Sequence, residues 1–147
     1  MNRADAFYRL EEVAGEHAAA TVSIAAFRTA LAQSPALLAN TRLEQADFAR
    51  LSNNLELTFL VRPFARFEGV LRDYWLAKIR PSKPVMEILV DRIADRLAIP
   101  SAWVDDVHHV REIRNDFIHH DMAATMIGFD EAKSRLARYT SRLPIVW

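Results

Sequence analysis

The chain contains no cysteine, which removes disulfides, thiolate nucleophiles and zinc–thiolate centres from consideration. Glycine is nearly as scarce, with three in 147 residues, and the six prolines lie mostly between periodic segments. A chain so poor in turn formers, with no alternating β-branched run, is not built from hairpins. Long apolar stretches are also missing. The longest, AAATVSIAAF, falls far short of the roughly 20 residues a bilayer-spanning helix needs. The opening MNRADAFYRLEE has no apolar core of the kind a signal peptide carries. Net charge is absent as well: 19 basic residues balance 19 acidic ones, so nothing global pulls the chain toward nucleic acid or membrane. Any polyanion must be held by a local patch. Lysine occurs only at 78, 83 and 133, so the positive charge is mostly arginine, whose planar fork suits carboxylate and phosphate. These absences predict one all-α domain over residues 1–147, cytoplasmic and without membrane contact.

What is present is helical periodicity. Residues 4–33 predict a long alanine-rich helix with Phe7, Leu10, Val13 and Ala14 on its apolar stripe. SPALLAN breaks it. Thr41 with Glu44 has capping-box spacing and predicts a second helix through Leu51. Residues 55–79 continue helical, with Pro63 set to kink that helix or start it afresh. After RPSKP, residues 85–98 predict a helix stopped by Pro100. Ser101 is placed to cap the helix over 102–120, residues 121–129 read as irregular, and Asp130 as the cap of EAKSRLARYTSRL, ended by Pro144. The expected architecture is a bundle of about five helices with no internal repeat or linker.

The helix over 102–120 is unusual. With Arg114 at zero on a helical wheel, Trp103, Val107, Val110 and Phe117 fall within about 60° of it. Arg114 therefore occupies the middle of an apolar stripe, with Arg111 near the seam and His108, Asn115 and His119 along one flank. A guanidinium there is costly unless something acidic meets it: a carboxylate of this chain, a partner subunit or a phosphate. Glu68 lies in an apolar stretch of its own (Phe64, Phe67, Val70, Leu71) and is the carboxylate expected to reach the motif helix. The pairs His108–His109 and His119–His120 do not converge on one point, so no metal site is expected.

Arginine, a polar residue, three variable positions and histidine, as in RNDFIH, stand near the end of the penultimate helix of this all-α chain. A G-x-D-E-A-capped helix follows, and LVRPFARFEGVLRDYW, bearing aromatics and an acid, precedes. This combination resembles the HEPN superfamily (higher eukaryotes and prokaryotes nucleotide-binding domains) over roughly residues 50–145. The resemblance implies a helical bundle and a metal-independent endoribonuclease of a toxin–antitoxin or phage-defence system. It also implies a homodimer that joins two motifs at its interface, single-stranded RNA as substrate, no cofactor, and an antitoxin or defence partner protein. Arg114 matches the family arginine, Asn115 the polar residue and His119 the histidine, while His120 fits a spacing one residue longer. The pattern departs at Asp121, where relatives silenced by modification carry tyrosine, so that mode of silencing is not implied.

The chemistry needs these residue types. RNA supplies its own nucleophile, the 2′-hydroxyl, so cleavage asks for a base to take that proton and an acid for the departing 5′-oxygen. Histidine suits both roles near neutral pH, and an arginine in a poorly hydrated seam stabilises charge building on phosphorus-bound oxygens. Two other readings use the same residues. In one, a catalytically silent HEPN-like binding or scaffold module, Arg114 pairs with Glu68 or Asp121. In the other, a plain interaction protein, Trp75, Trp103 and the tail PIVW pack on a partner.

Overall fold

Helix α1 (Arg3–Gln33) opens on a reciprocal cap, in which Asn2 Oδ1 accepts from the Asp5 amide at 2.8 Å and Asp5 Oδ2 from the Asn2 amide at 3.0 Å. A single 3₁₀ turn (Pro35–Leu38) follows, then α2 (Gln45–Lys78), α3 (Met86–Leu97), α4 (Ser101–His120) and α5 (Phe129–Thr140). The computed structural model describes residues 1–39, 41–80, 82–120 and 127–147, with the side chains of Asn53, His119 and His120 outside that description. Among the described residues there is no strand, only an isolated bridge between Asn2 and Val146, and no helix is long and apolar enough to cross a membrane. The fold is an all-α bundle, as the periodicity predicted.

Helix α2 is the shared surface of the bundle. Leu60, Phe64, Phe67, Val70, Leu71, Tyr74 and Trp75 recur at helical spacing and are almost wholly buried, and all four other helices pack against this one. Helix α1 contributes Ala6 and Leu10 to the same core, α3 Leu89, Val90 and Ile93, α4 Val107 and Val110, and α5 Ala132, Leu136 and Tyr139. Trp75 and Trp147 also lie inside this core, Trp147 edge-on to Tyr74, so neither is free to meet a partner.

Several predicted helix boundaries are corrected by local hydrogen bonding. Thr41 does not cap α2: its hydroxyl bonds the Leu38 carbonyl and receives the Leu43 amide, which closes a turn. The helix starts at Gln45 instead, with the Glu44 amide donating to Asp47 Oδ2 at 2.8 Å. It then runs unbroken through Leu51 and Pro63 to Lys78. Proline removes the donor for the carbonyl of Phe59, but Pro63 is buried in the core half of α2, where packing outweighs one lost bond. Ser101 is the first residue of α4 rather than its cap, because the Pro100 carbonyl accepts from Trp103 and Val104. Helix α5 ends at Thr140, ahead of Pro144, in a tightened turn through Arg142 and Leu143.

Helix α3 also stops before Pro100. Ala98 adopts a left-handed conformation (φ 50°, ψ 48°), its amide bonds back to Ala94 and Asp95, and the Ile99 amide reaches the Ala94 carbonyl. Glycine normally fills this place because a Cβ there costs about 1–2 kcal/mol. Across the core, the Tyr139 hydroxyl donates to the Val90 carbonyl at 2.6 Å, with its ring edge-on to Phe67. Burial pushes the Tyr139 pKa far above the ordinary tyrosine range, and Asp91 and Asp95 add to it, so the hydroxyl remains a donor at every working pH.

Two stability outcomes follow. Ala98→Gly should stabilise the fold by roughly 0.5–1 kcal/mol, the relieved strain less the added freedom of the unfolded chain, seen as a higher urea midpoint. Tyr139→Phe should lower stability by about 1–3 kcal/mol, because the buried Val90 carbonyl loses its partner; calorimetry showing no loss would contradict that role for the bond.

Candidate functional site

Helix α4 lies on the core through Val107 and Val110, both fully buried, with Trp103 packed against the core's edge. One and two turns later the same stripe rises out of the core. Arg114 and Phe117 are half-buried and Ile118 is exposed. The anomaly in the sequence is thereby placed: Arg114 stands where the apolar stripe meets solvent.

Among the described residues, the contacts of Arg114 are with neutral groups. Its Nη1 donates to Asn115 Oδ1 at 2.8 Å, and its guanidinium carbon lies 5.8 Å from the ring centroid of Phe64, a core residue of α2. Its Nε is buried without a hydrogen-bond partner among the described residues, and none of their carboxylates forms an ion pair with Arg114. The Asn115 carbonyl oxygen is taken, and no described residue accepts from its amide nitrogen. His119 follows Asn115 by four residues on α4, one turn further on. The side chains of His119 and His120, and all of Asp121, lie outside the described residues.

The remaining sequence candidates do not join Arg114. Glu68 does not reach across to it: both hydrogen bonds of this carboxylate come from Arg72, one turn along α2, at 2.9 and 2.6 Å. The i,i+4 spacing favours that pairing, and Arg72 is fixed further by donating to the Pro84 carbonyl at 3.1 Å. Arg111 turns instead to α3, with Nη1 3.2 Å from Glu87 Oε2, and His108 beside it contacts Asp91 Oδ1 at 2.8 Å. These two contacts fasten α4 to α3 and leave Arg114 as the cation free of an acidic partner among the described residues of this stripe.

Helices α4 and α5 are antiparallel. Asp106, early in α4, pairs with Arg135 and Arg138, late in α5, and Arg142 lies over Trp103 at 4.8 Å. The motif end of α4 therefore shares one end of the bundle with the start of α5. There the structure adds two residues that sequence reasoning missed. Asp130 does not cap α5. It lies within the first turn, and Glu56 of α2 supplies the cap, its Oε2 accepting from the Phe129 amide at 2.7 Å. The other oxygen of Glu56 is 2.9 Å from His17 Nε2, and the His17 ring stacks on Phe129 with centroids 4.2 Å apart. Glu56 thus joins α1, α2 and α5 at one point. No local signal marked Glu56, whose side chain is 43% exposed and whose partners are brought to it by the fold.

No protein-family model, no curated protein and no solved structure matches this chain. The geometry of the site is accordingly read on its own terms. Glu56→Ala should lower stability by about 1–2 kcal/mol, the typical effect of losing a helix cap, and α5 should lose hydrogen-exchange protection first at Phe129. An unchanged denaturation midpoint would show that the three-helix junction is held by packing alone.

Proposed function

We propose that the chain is a metal-independent endoribonuclease of the toxin–antitoxin or phage-defence kind, with Arg114, Asn115 and His119 as its site and a second copy completing it. The observation that carries this reading is the state of Arg114. It is half-buried over Phe64, oriented by neutral Asn115, and without an acidic partner among the described residues. A structural arginine at such a depth is ordinarily satisfied by a carboxylate, and Glu68, the carboxylate expected there, is committed to Arg72. A guanidinium and an amide nitrogen that no described residue engages suit a phosphodiester, whose charge grows as the reaction proceeds.

The reaction balances without a cofactor. His119 of one copy takes the proton of the 2′-hydroxyl as that oxygen bonds to phosphorus. His119 of the other copy gives a proton to the 5′-oxygen as the P–O5′ bond breaks. The products are a 2′,3′-cyclic phosphate and a 5′-hydroxyl. Arg114 and the Asn115 amide stabilise the phosphorane oxygens from the seam side. An antitoxin or other defence partner would act by covering this face, and the substrate is single-stranded RNA, where the sugar can adopt an in-line geometry.

Purified protein should cut single-stranded RNA in excess chelator, leave cyclic phosphate ends, and spare DNA. His119→Ala should lose about 100- to 10,000-fold in rate while keeping its helical circular dichroism, and Arg114→Ala should lose activity as well. If wild type and His119→Ala degrade RNA equally, or cleavage needs added metal, the chain is a binding or scaffold module instead.

A further inference from the structure

Helices α1 and α2 extend well beyond the bundle that covers their other halves. Contacts across the hairpin run from Arg9–Asp73 through His17–Glu56 to Phe27–Phe48, so the far parts of both helices form a two-helix arm. Helices α3, α4 and α5 pack on α2, and α5 on α1, but the bundle's buried residues end at Glu56's neighbours Leu55 and Leu57. From residue 18 to residue 55, only Leu31 and Leu55 are buried among the described residues. A pair of helices with so little core is marginal in water by itself.

The arm is also dressed for contact rather than for solvent. The sixteen residues from Ala18 to Gln33 carry one charge, Arg28, where a solvent-facing helix ordinarily carries several. Val22 is 68% exposed, and Leu37, Leu43 and Leu51 are about half exposed. Along one side, two continuous grooves of about 600 and 220 Å³ run between the helices, sharing Ala25 and Arg28 and lined further by Leu31, Phe48 and Leu55. Ser52 Oγ, in the smaller groove's lining, is buried with no hydrogen-bond partner among the described residues.

We propose that the arm packs against the arm of a second copy, making a four-helix layer that holds a homodimer together. Charge argues against the other occupants. Residues 18–55 carry Arg28, Arg42 and Arg50 against Glu44 and Asp47, a net charge of only +1, so the arm has little attraction for RNA or for an anionic membrane surface. A foreign protein partner is usually selected by complementary charge, and this face offers almost none. A second two-helix layer, equally neutral and equally apolar, matches it in kind. Size permits it: a face roughly 24 Å long and 20 Å wide on each copy removes on the order of 1,000 Å² in total, about the least that a specific interface buries. The motif end of α4 lies at the base of the arm, so a two-fold axis running along paired arms puts both motifs at one end of the dimer. The arm pairing does not depend on the ribonuclease reading.

The absence of native cysteine makes the test direct. Ala18→Cys, Val22→Cys, Ala25→Cys and Thr29→Cys, on successive turns of the arm, should include at least one that forms a disulfide-linked dimer under mild oxidation. Leu76→Cys, equally accessible but on the covered half of α2, should not. Sedimentation equilibrium of the unmodified chain at about 10 µM should show a dimer, and Ala25→Glu should weaken it by about 100-fold with helical content intact. A monomeric wild type, cross-linking at Leu76→Cys alone, or a dimer indifferent to Ala25→Glu would overturn the proposal. Should Ala25→Glu misfold, the conservative cysteine series still decides, and none of these readouts involves RNA.

Discussion

Everything in this molecule depends on how much one helix can bury. The stretch of α2 from Leu60 to Trp75 presents a broad apolar stripe, and all four other helices pack against α2. Burying a large apolar side chain is worth about 1.5–3 kcal/mol, so this stretch outweighs any single polar contact in the chain. It also tolerates Pro63 in mid-helix, because the cost of one missing hydrogen bond is small beside that burial. The polar contacts then decide orientation. Tyr139 to Val90, Glu56 to Phe129 and Arg111 to Glu87 each join two helices that the core alone would only hold near one another.

Arg114 gains its character from the same arrangement. Val107 and Val110 draw α4 down onto α2, and their burial leaves Arg114 level with the rim, resting on Phe64. An aromatic face holds a guanidinium without offsetting its charge as a carboxylate does. The neighbouring cation Arg111, one turn back, meets Glu87 and is neutralised. Two arginines three residues apart on one helix thus serve different ends, one to fasten helices and one to present charge.

Much of the fold was legible from periodicity, because apolar residues at helical spacing report burial directly. The first turns of α1, with Leu10 and Val13, and the apolar face of α4 around Val107 and Val110 are examples. Helix ends were less legible, since caps depend on competition for individual amides. Thr41 and Glu44 had the right spacing, yet the Thr41 hydroxyl was drawn into a turn with Leu38 and Leu43. The cap of α5 was beyond local reading, because Glu56 lies 73 residues from the amide it accepts. Glu68 misled for a related reason: an acid in an apolar stretch needs a partner, but the nearest, Arg72, was on its own helix. The fifth histidine, His17, gave no local signal, because the alanines around it say nothing about Phe129 or Glu56.

Helix α2 is one unbroken rod of 34 residues, reaching from the tip of the hairpin to the far side of the bundle. Its backbone ladder lacks one rung, at Pro63, and the very next residue is Phe64, the seat of Arg114. One buried ring therefore serves twice: it fills the core beside the missing hydrogen bond, and its face carries the guanidinium at the rim.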